Sequence, residues 1–101
     1  MATSGCGAPE QGSELAGIDT TTQTVIEGVV TTGGTPVPSA YVRLLDDSGE
    51  FTAEVVTSPR GEFRFFAVPG EWRLRALSSL GHGETTVLAD RGVTSTELAL
   101  V

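Results

Sequence analysis

From Thr24 onward, apolar and polar positions alternate in short runs separated by turn residues. That period of two is the signature of half-buried β-strands. In the first run Val25, Glu27, Val29 and Thr31 share one face, and Ile26, Gly28 and Val30 share the other. Gly33-Gly34-Thr35-Pro36 then breaks the chain, as such a cluster does. Ala40, Val42 and Leu44 alternate with Tyr41, Arg43 and Leu45 until Asp46-Asp47-Ser48-Gly49. Phe51, Ala53 and Val55 alternate with Thr52, Glu54 and Val56, and Ser58-Pro59-Arg60-Gly61 turns the chain into residues 62–68. Val68-Pro69-Gly70-Glu71 carries Pro at its second place and Gly at its third, which suits a type II turn. It predicts a hairpin joining residues 63–67 to 72–77. Two more strands are expected over 84–89 and 94–101, on either side of Asp90-Arg91-Gly92.

About seven short strands at regular spacing, with no helical period after residue 24, predict an all-β, antiparallel β-sandwich over residues 24–101. The expected core is Val25, Val29, Val42, Leu44, Val55, Phe63, Phe65, Trp72, Leu74, Val87 and Leu98. Residues 1–23 differ. They hold four glycines, a proline and three acids but no base, too little apolar surface to offset the entropy of ordering. They read as a mobile acidic tail in which Leu15 and Ile18 are the side chains able to dock, and 14–17 the stretch able to form a helical turn.

Composition narrows the chemistry. Thirteen acidic residues against six basic ones leave a formal charge of −7, the opposite of the basic footprint that nucleic acids require. All the bases are arginine. One Cys (Cys6) cannot close an intrachain disulfide, and one His (His82) with one Cys is too few for a closed four-ligand zinc site. Any Ser/His/Asp triad would depend on His82, which lies in Gly81-His82-Gly83 and reads as a solvated loop residue. Asp46-Asp47-Ser48-Gly49-Glu50 reads as an acidic turn, lacking the ligand spacing of a calcium loop. No metal or cofactor is expected. Neither a signal sequence nor a membrane span is legible, so the expected setting is the cytoplasm, with a reduced thiol and no membrane partner.

Two surface features carry chemistry. Were residues 63–67 and 72–77 a hairpin with Phe63, Phe65, Trp72 and Leu74 inward, then Arg64, Phe66, Arg73, Arg75 and Leu77 would share one outward face. Three guanidinium groups there suit an anion or an acidic partner, or they pair with Glu54, Glu62 and Glu71. Phe66 and Leu77 add an apolar patch fit for protein contact or homo-oligomerisation. Cys6, flanked by Gly5 and Gly7, is either an incidental thiol or an unshielded nucleophile for sulfur.

Gly28-x-Val30, Gly34-x-Pro36-Val37-Pro38-x-Ala40-x-Val42, Gly61-x-Phe63-x-Phe65 and Pro69-Gly70-x-Trp72-x-Leu74 resemble the carboxypeptidase regulatory-like domain. That resemblance implies a seven-stranded sandwich of the transthyretin type. The catalytic relatives of that fold need several histidines or paired tyrosines and histidines, and one His and one Tyr exclude hydroxyisourate-hydrolase-like and dioxygenase-like activity here. Residues 40–46, 50–56, 61–67, 69–72 and 75–78 are similar to the actinobacterial SseC family, as is a cysteine ahead of Gln11-Gly12. This second resemblance implies proximity to sulfur metabolism, with a thiosulfate sulfurtransferase as the expected partner. The reading is then a non-enzymatic accessory protein that binds such a partner and carries sulfur on Cys6. The alternatives are a structural or protein-interaction sandwich without chemistry, or a small-ligand or carbohydrate-binding module using Tyr41 and Trp72.

Overall fold

Every alternating run from Thr24 onward becomes a strand in the computed structural model, which describes residues 23–101. The strands are β1 (Thr24–Thr32), β2 (Thr35–Pro36), β3 (Tyr41–Leu45), β4 (Phe51–Val56), β5 (Glu62–Ala67), β6 (Gly70–Ser78), β7 (Gly81–Ala89) and β8 (Gly92–Ala99). The eighth strand beyond the expected seven is β2, a two-residue piece formed where β1 folds back on itself. His82 lies within β7, not in a loop. Its glycine neighbours are there for space: a Cβ on Gly83 would sit 2.5 Å from the Ala99 carbonyl oxygen, and one on Gly81 equally close to that of Val101. The chain end crosses over these glycines, and Val101 and His82 exchange backbone hydrogen bonds of 2.8 and 3.3 Å.

The strands form two sheets. In the first, β1 is central: β5 pairs along one edge from Thr24↔Ala67 to Val29↔Glu62, and β2 continues that side at Thr31 and Thr32. Along the other edge β8 runs parallel to β1, from Thr24↔Gly92 to Thr31↔Ala99. The second sheet is antiparallel throughout, in the order β4-β3-β6-β7.

The expected hairpin between residues 63–67 and 72–77 does not form, because β5 and β6 belong to different sheets. Val68 and Pro69 are a corner between layers, closed by the Trp72 indole N–H donating to the Val68 carbonyl at 2.8 Å. The cause is burial. Phe63, Phe65 and Ala67 on β5 and Trp72, Leu74 and Ala76 on β6 all enter one core cluster. They do so from opposite sides, facing each other across it.

The core also corrects the parity of β1. Ile26 and Val30, rather than Val25 and Val29, enter the cluster, and Val37, Ala40 and Leu100 join them. Val25 is fully buried, as expected, but on the other face of the strand, and Val29 is half-buried. The inward face looks poorer in sequence because Gly28 stands in its middle. That gap is filled by Phe63: a Cβ on Gly28 would lie 2.6 Å from the ring Cζ. The ring also packs at a tilt on Phe65, with centroids 6.1 Å apart.

At the start of β3, Thr57 is buried and its hydroxyl is used twice. It accepts from the Ala40 N–H and donates to the Val37 carbonyl, both at 2.8 Å. This bond pair holds the loop ahead of Tyr41 in place.

Gly28→Ala is expected to destabilise the fold by about 1–3 kcal/mol through overpacking against the Thr96 carbonyl oxygen and the Phe63 ring. A lowered urea midpoint with an unchanged slope checks this; an unchanged midpoint would show that β1 can move away from the ring.

Candidate functional site

Within a strand, residues that alternate with the core point outward. Register then stacks the outward residues of the β4-β3-β6-β7 sheet into rows. One row is Val56, Tyr41, Leu77 and His82, each opposite the next. Tyr41 is 52% exposed and Leu77 57% exposed. The adjacent row is Glu54, Arg43, Arg75 and Glu84. Beyond it lies Arg73, between Leu45 and Thr86. A concavity of about 500 Å³ lies over the first two rows.

The charged row reads minus, plus, plus, minus. Arg43 and Arg75 stand directly opposite each other, an unfavourable cross-strand pairing for like charges. Carboxylates close both ends: Arg43 Nε donates to Glu54 Oε2 at 2.9 Å, and Arg75 Nη2 lies 3.6 Å from Glu84 Oε2. Arg43 also lies over the Phe51 ring, its Cζ 5.9 Å from the centroid. The members of these pairs are a third to a half exposed, and exposed pairs of this kind contribute at most about 1 kcal/mol. They orient the arginines more than they stabilise the fold.

The expected group of Arg64, Arg73, Arg75 and Phe66 is divided by the sandwich. Arg73 and Arg75 share the face just described, with Leu77. Arg64 and Phe66 lie on β5, on the outer face of the other sheet, because β5 and β6 present opposite exteriors when both bury their alternate residues. Phe66 there stands opposite Val25. Arg64 Nε donates to Glu27 Oε1 at 3.2 Å, and the Ser95 hydroxyl donates to the other oxygen of Glu27 at 3.3 Å. With its side chain 14% exposed, Arg64 is held in its own sheet's network. The arginine cluster is therefore Arg43, Arg73 and Arg75. Tyr41 and Arg43 were legible as outward residues, but their meeting with β6 depends on a pairing that no local signal announces. Cys6 lies outside the described residues.

Asp46 closes the turn after β3. Its Oδ1 accepts from the Ser48 N–H at 2.9 Å, the Ser48 hydroxyl at 2.6 Å and the Glu50 N–H at 2.9 Å. The Ser48 hydroxyl, and then the Glu50 N–H, hold this carboxyl below the ordinary carboxylate range. The oxygen is spent on the turn. Among the described residues, no group of three or more His, Cys, Asp or Glu side chains is placed to hold a metal ion. Nor is any helix long and apolar enough to cross a membrane.

Residues 6–100 match the sequence profile of the family described as "Protein of unknown function (DUF1416)". The chain belongs to the DUF1416 family. The matched span takes in Cys6 and the acidic segment as well as the sandwich, so the DUF1416 sequence pattern extends beyond the strands. The chain is 56% identical over 84 residues to "Uncharacterized protein Rv0814c" of Mycobacterium tuberculosis, covering 81% of this chain and 84% of that one. It is 60% identical over 73 residues to an uncharacterized protein of Mycolicibacterium smegmatis, covering 71% and 81%. Among solved structures it is similar to a DUF3823 family protein from Parabacteroides merdae, with a TM-score of 0.60 and 22% identity. That likeness covers 78% of this chain and 46% of the other, and it shows the sandwich fold that this DUF1416 chain adopts.

Because the Asp46 carboxyl is held low, its ionised form stabilises the turn above the ordinary value of 3.8 and is lost as pH falls through the lower folded value. Asp46→Ala is expected to unfold more easily than wild type at neutral pH, and the gap should narrow as pH falls below 3.8. Urea midpoints across that range check this; a gap independent of pH would show that ionisation of Asp46 does not support the turn.

Proposed function

We propose that this protein is a non-enzymatic binding module that docks a partner protein on the outer face of the β4-β3-β6-β7 sheet. The observation that carries this reading is the pairing of an exposed apolar row, Tyr41 and Leu77, with an adjacent oriented arginine pair, Arg43 and Arg75. Binding surfaces combine such features: arginine supplies directional donors, and tyrosine supplies contact area with few rotatable bonds to freeze. Its setting is the cytoplasm, and the partner is a thiosulfate sulfurtransferase, as the resemblance to the SseC family implies. In that setting Cys6 takes a sulfur atom from the enzyme. Its thiolate attacks the outer sulfur of an enzyme persulfide, the enzyme's S–S bond breaks, the enzyme thiolate leaves, and Cys6 becomes the persulfide.

Immobilised full-length protein is expected to retain a purified thiosulfate sulfurtransferase from the same organism. Arg43→Glu with Tyr41→Ala should weaken retention by about tenfold or more. Cys6→Ser should retain the enzyme yet lose the gain of one sulfur atom, by intact mass, that wild type shows after enzyme and thiosulfate are added. No retention by wild type would overturn the partner; equal retention by the face variant would overturn the surface; no sulfur on wild type would overturn the carrier role.

A further inference from the structure

The arginine pair has a geometry that selects its ligand, given that this face is a binding surface as proposed above. Arg43 spends its Nε on Glu54 and rests on Phe51, so its position is set before anything binds. It makes no other ion pair among the described residues, which leaves its Nη groups for a further acceptor. Arg75 reaches Glu84 at 3.6 Å, beyond direct hydrogen-bond distance, so its donors are also available. Arg43 and Arg75 are direct cross-strand partners lining one concavity, so a carboxylate seated between their strands can accept from both.

The same row sets the size of the anion. Glu54 and Glu84 flank the arginines on either side, and the whole chain carries −7. A polyanion lying across the strands would meet a carboxylate at each end of the row, whereas a single charge centred on the sheet meets none. The next row along supplies an apolar platform from Tyr41 and Leu77, each two residues from its arginine on the same strand. Two residues along a strand is about 7 Å, which is also the spacing of alternate side chains in an extended peptide.

We propose that the Arg43–Arg75 pair clasps one acidic side chain of an extended segment in a partner protein, while the apolar side chain two residues away in that segment rests on Tyr41 and Leu77. The recognised pattern is acid-x-apolar, read in either chain direction. The segment lies along β3 and β6, with the intervening residue pointing to solvent.

The test uses isotopically labelled full-length protein and the blocked peptide acetyl-Ser-Leu-Ser-Glu-Ser-Leu-Ser-amide, followed in amide nitrogen–proton spectra. Saturable shifts are expected at Tyr41, Arg43, Arg75 and Leu77, weakening as salt is raised. The peptide with Gln in place of Glu should bind about tenfold more weakly or worse, as should the original peptide to Arg75→Gln. A dispersed, near-wild-type spectrum of that half-exposed variant establishes that it folds. Equal affinity for the Glu and Gln peptides, or no saturable shift on this face, would overturn the proposal. So would propionate matching the peptide, which would make the ligand a free carboxylate. Shifts that follow protein concentration without peptide would assign the face to a second copy of this chain and likewise overturn it. If the peptide binds but sulfurtransferase capture fails, the partner assignment falls and this proposal stands; if capture succeeds without peptide recognition, this proposal falls alone.

Discussion

The ring of Phe63 lies against the backbone of β1 at Gly28, and much of the architecture depends on that approach. β1 pairs with β2, β5 and β8, so whichever of its faces turns inward sets the orientation of the whole first sheet. A side chain at position 28 would collide with the Phe63 ring of β5 and with the Thr96 carbonyl oxygen of β8. With only hydrogen there, Phe63 fills the space, and Ile26 and Val30 follow it into the core. Glu27 is thereby turned outward, where Arg64 and Ser95 satisfy it. One missing Cβ thus places both a hydrophobic layer and an ion-paired surface.

The same core explains why the two exteriors differ. Two strands that bury alternate residues in one layer must send their remaining residues to opposite sides of the molecule. Arg64 becomes part of a tight, partly buried pair on one side, and Arg73 and Arg75 join Arg43 on the other. The second exterior brings like charges together across β3 and β6, which stability alone does not favour. The flanking carboxylates offset the repulsion at exposed positions where each pair contributes little. An arrangement of small energetic value and defined geometry fits recognition better than it fits folding.

The strands were legible in the sequence because each is half-buried, so period-two alternation survives in Val42-Arg43-Leu44 and Phe63-Arg64-Phe65 alike. Pairing was not. Val68-Pro69-Gly70-Glu71 satisfies the requirements of a hairpin turn and of a corner between sheets equally well, and which one forms is decided by a core assembled from distant segments. The parity of β1 is hidden in the sequence for a related reason. Gly28 weakens the inward face when apolar residues are counted, and its meaning appears only once Phe63 is opposite it. His82 looked like a loop residue because of Gly81 and Gly83, whose cause is the chain end passing close above them. For the site, the outward direction of Tyr41 and Arg43 followed from alternation. Their meeting with Leu77 and Arg75 required knowing that β3 and β6 are neighbours, more than 30 residues apart in the chain.

The stiffness of β3 is the last element of the site. The strand is only five residues long, yet both of its ends are fixed by side-chain oxygens. Thr57 binds the backbone just before Tyr41, and Asp46 closes the turn just after Leu45. Central placement between β4 and β6 pairs both of its edges. Phe51 then supports Arg43 from the neighbouring strand. A platform held in this way loses little conformational freedom when a ligand arrives, so a shallow exposed surface can bind with useful affinity through few contacts. The acidic turn and the buried threonine, neither of which touches the concavity, are therefore part of how it would bind.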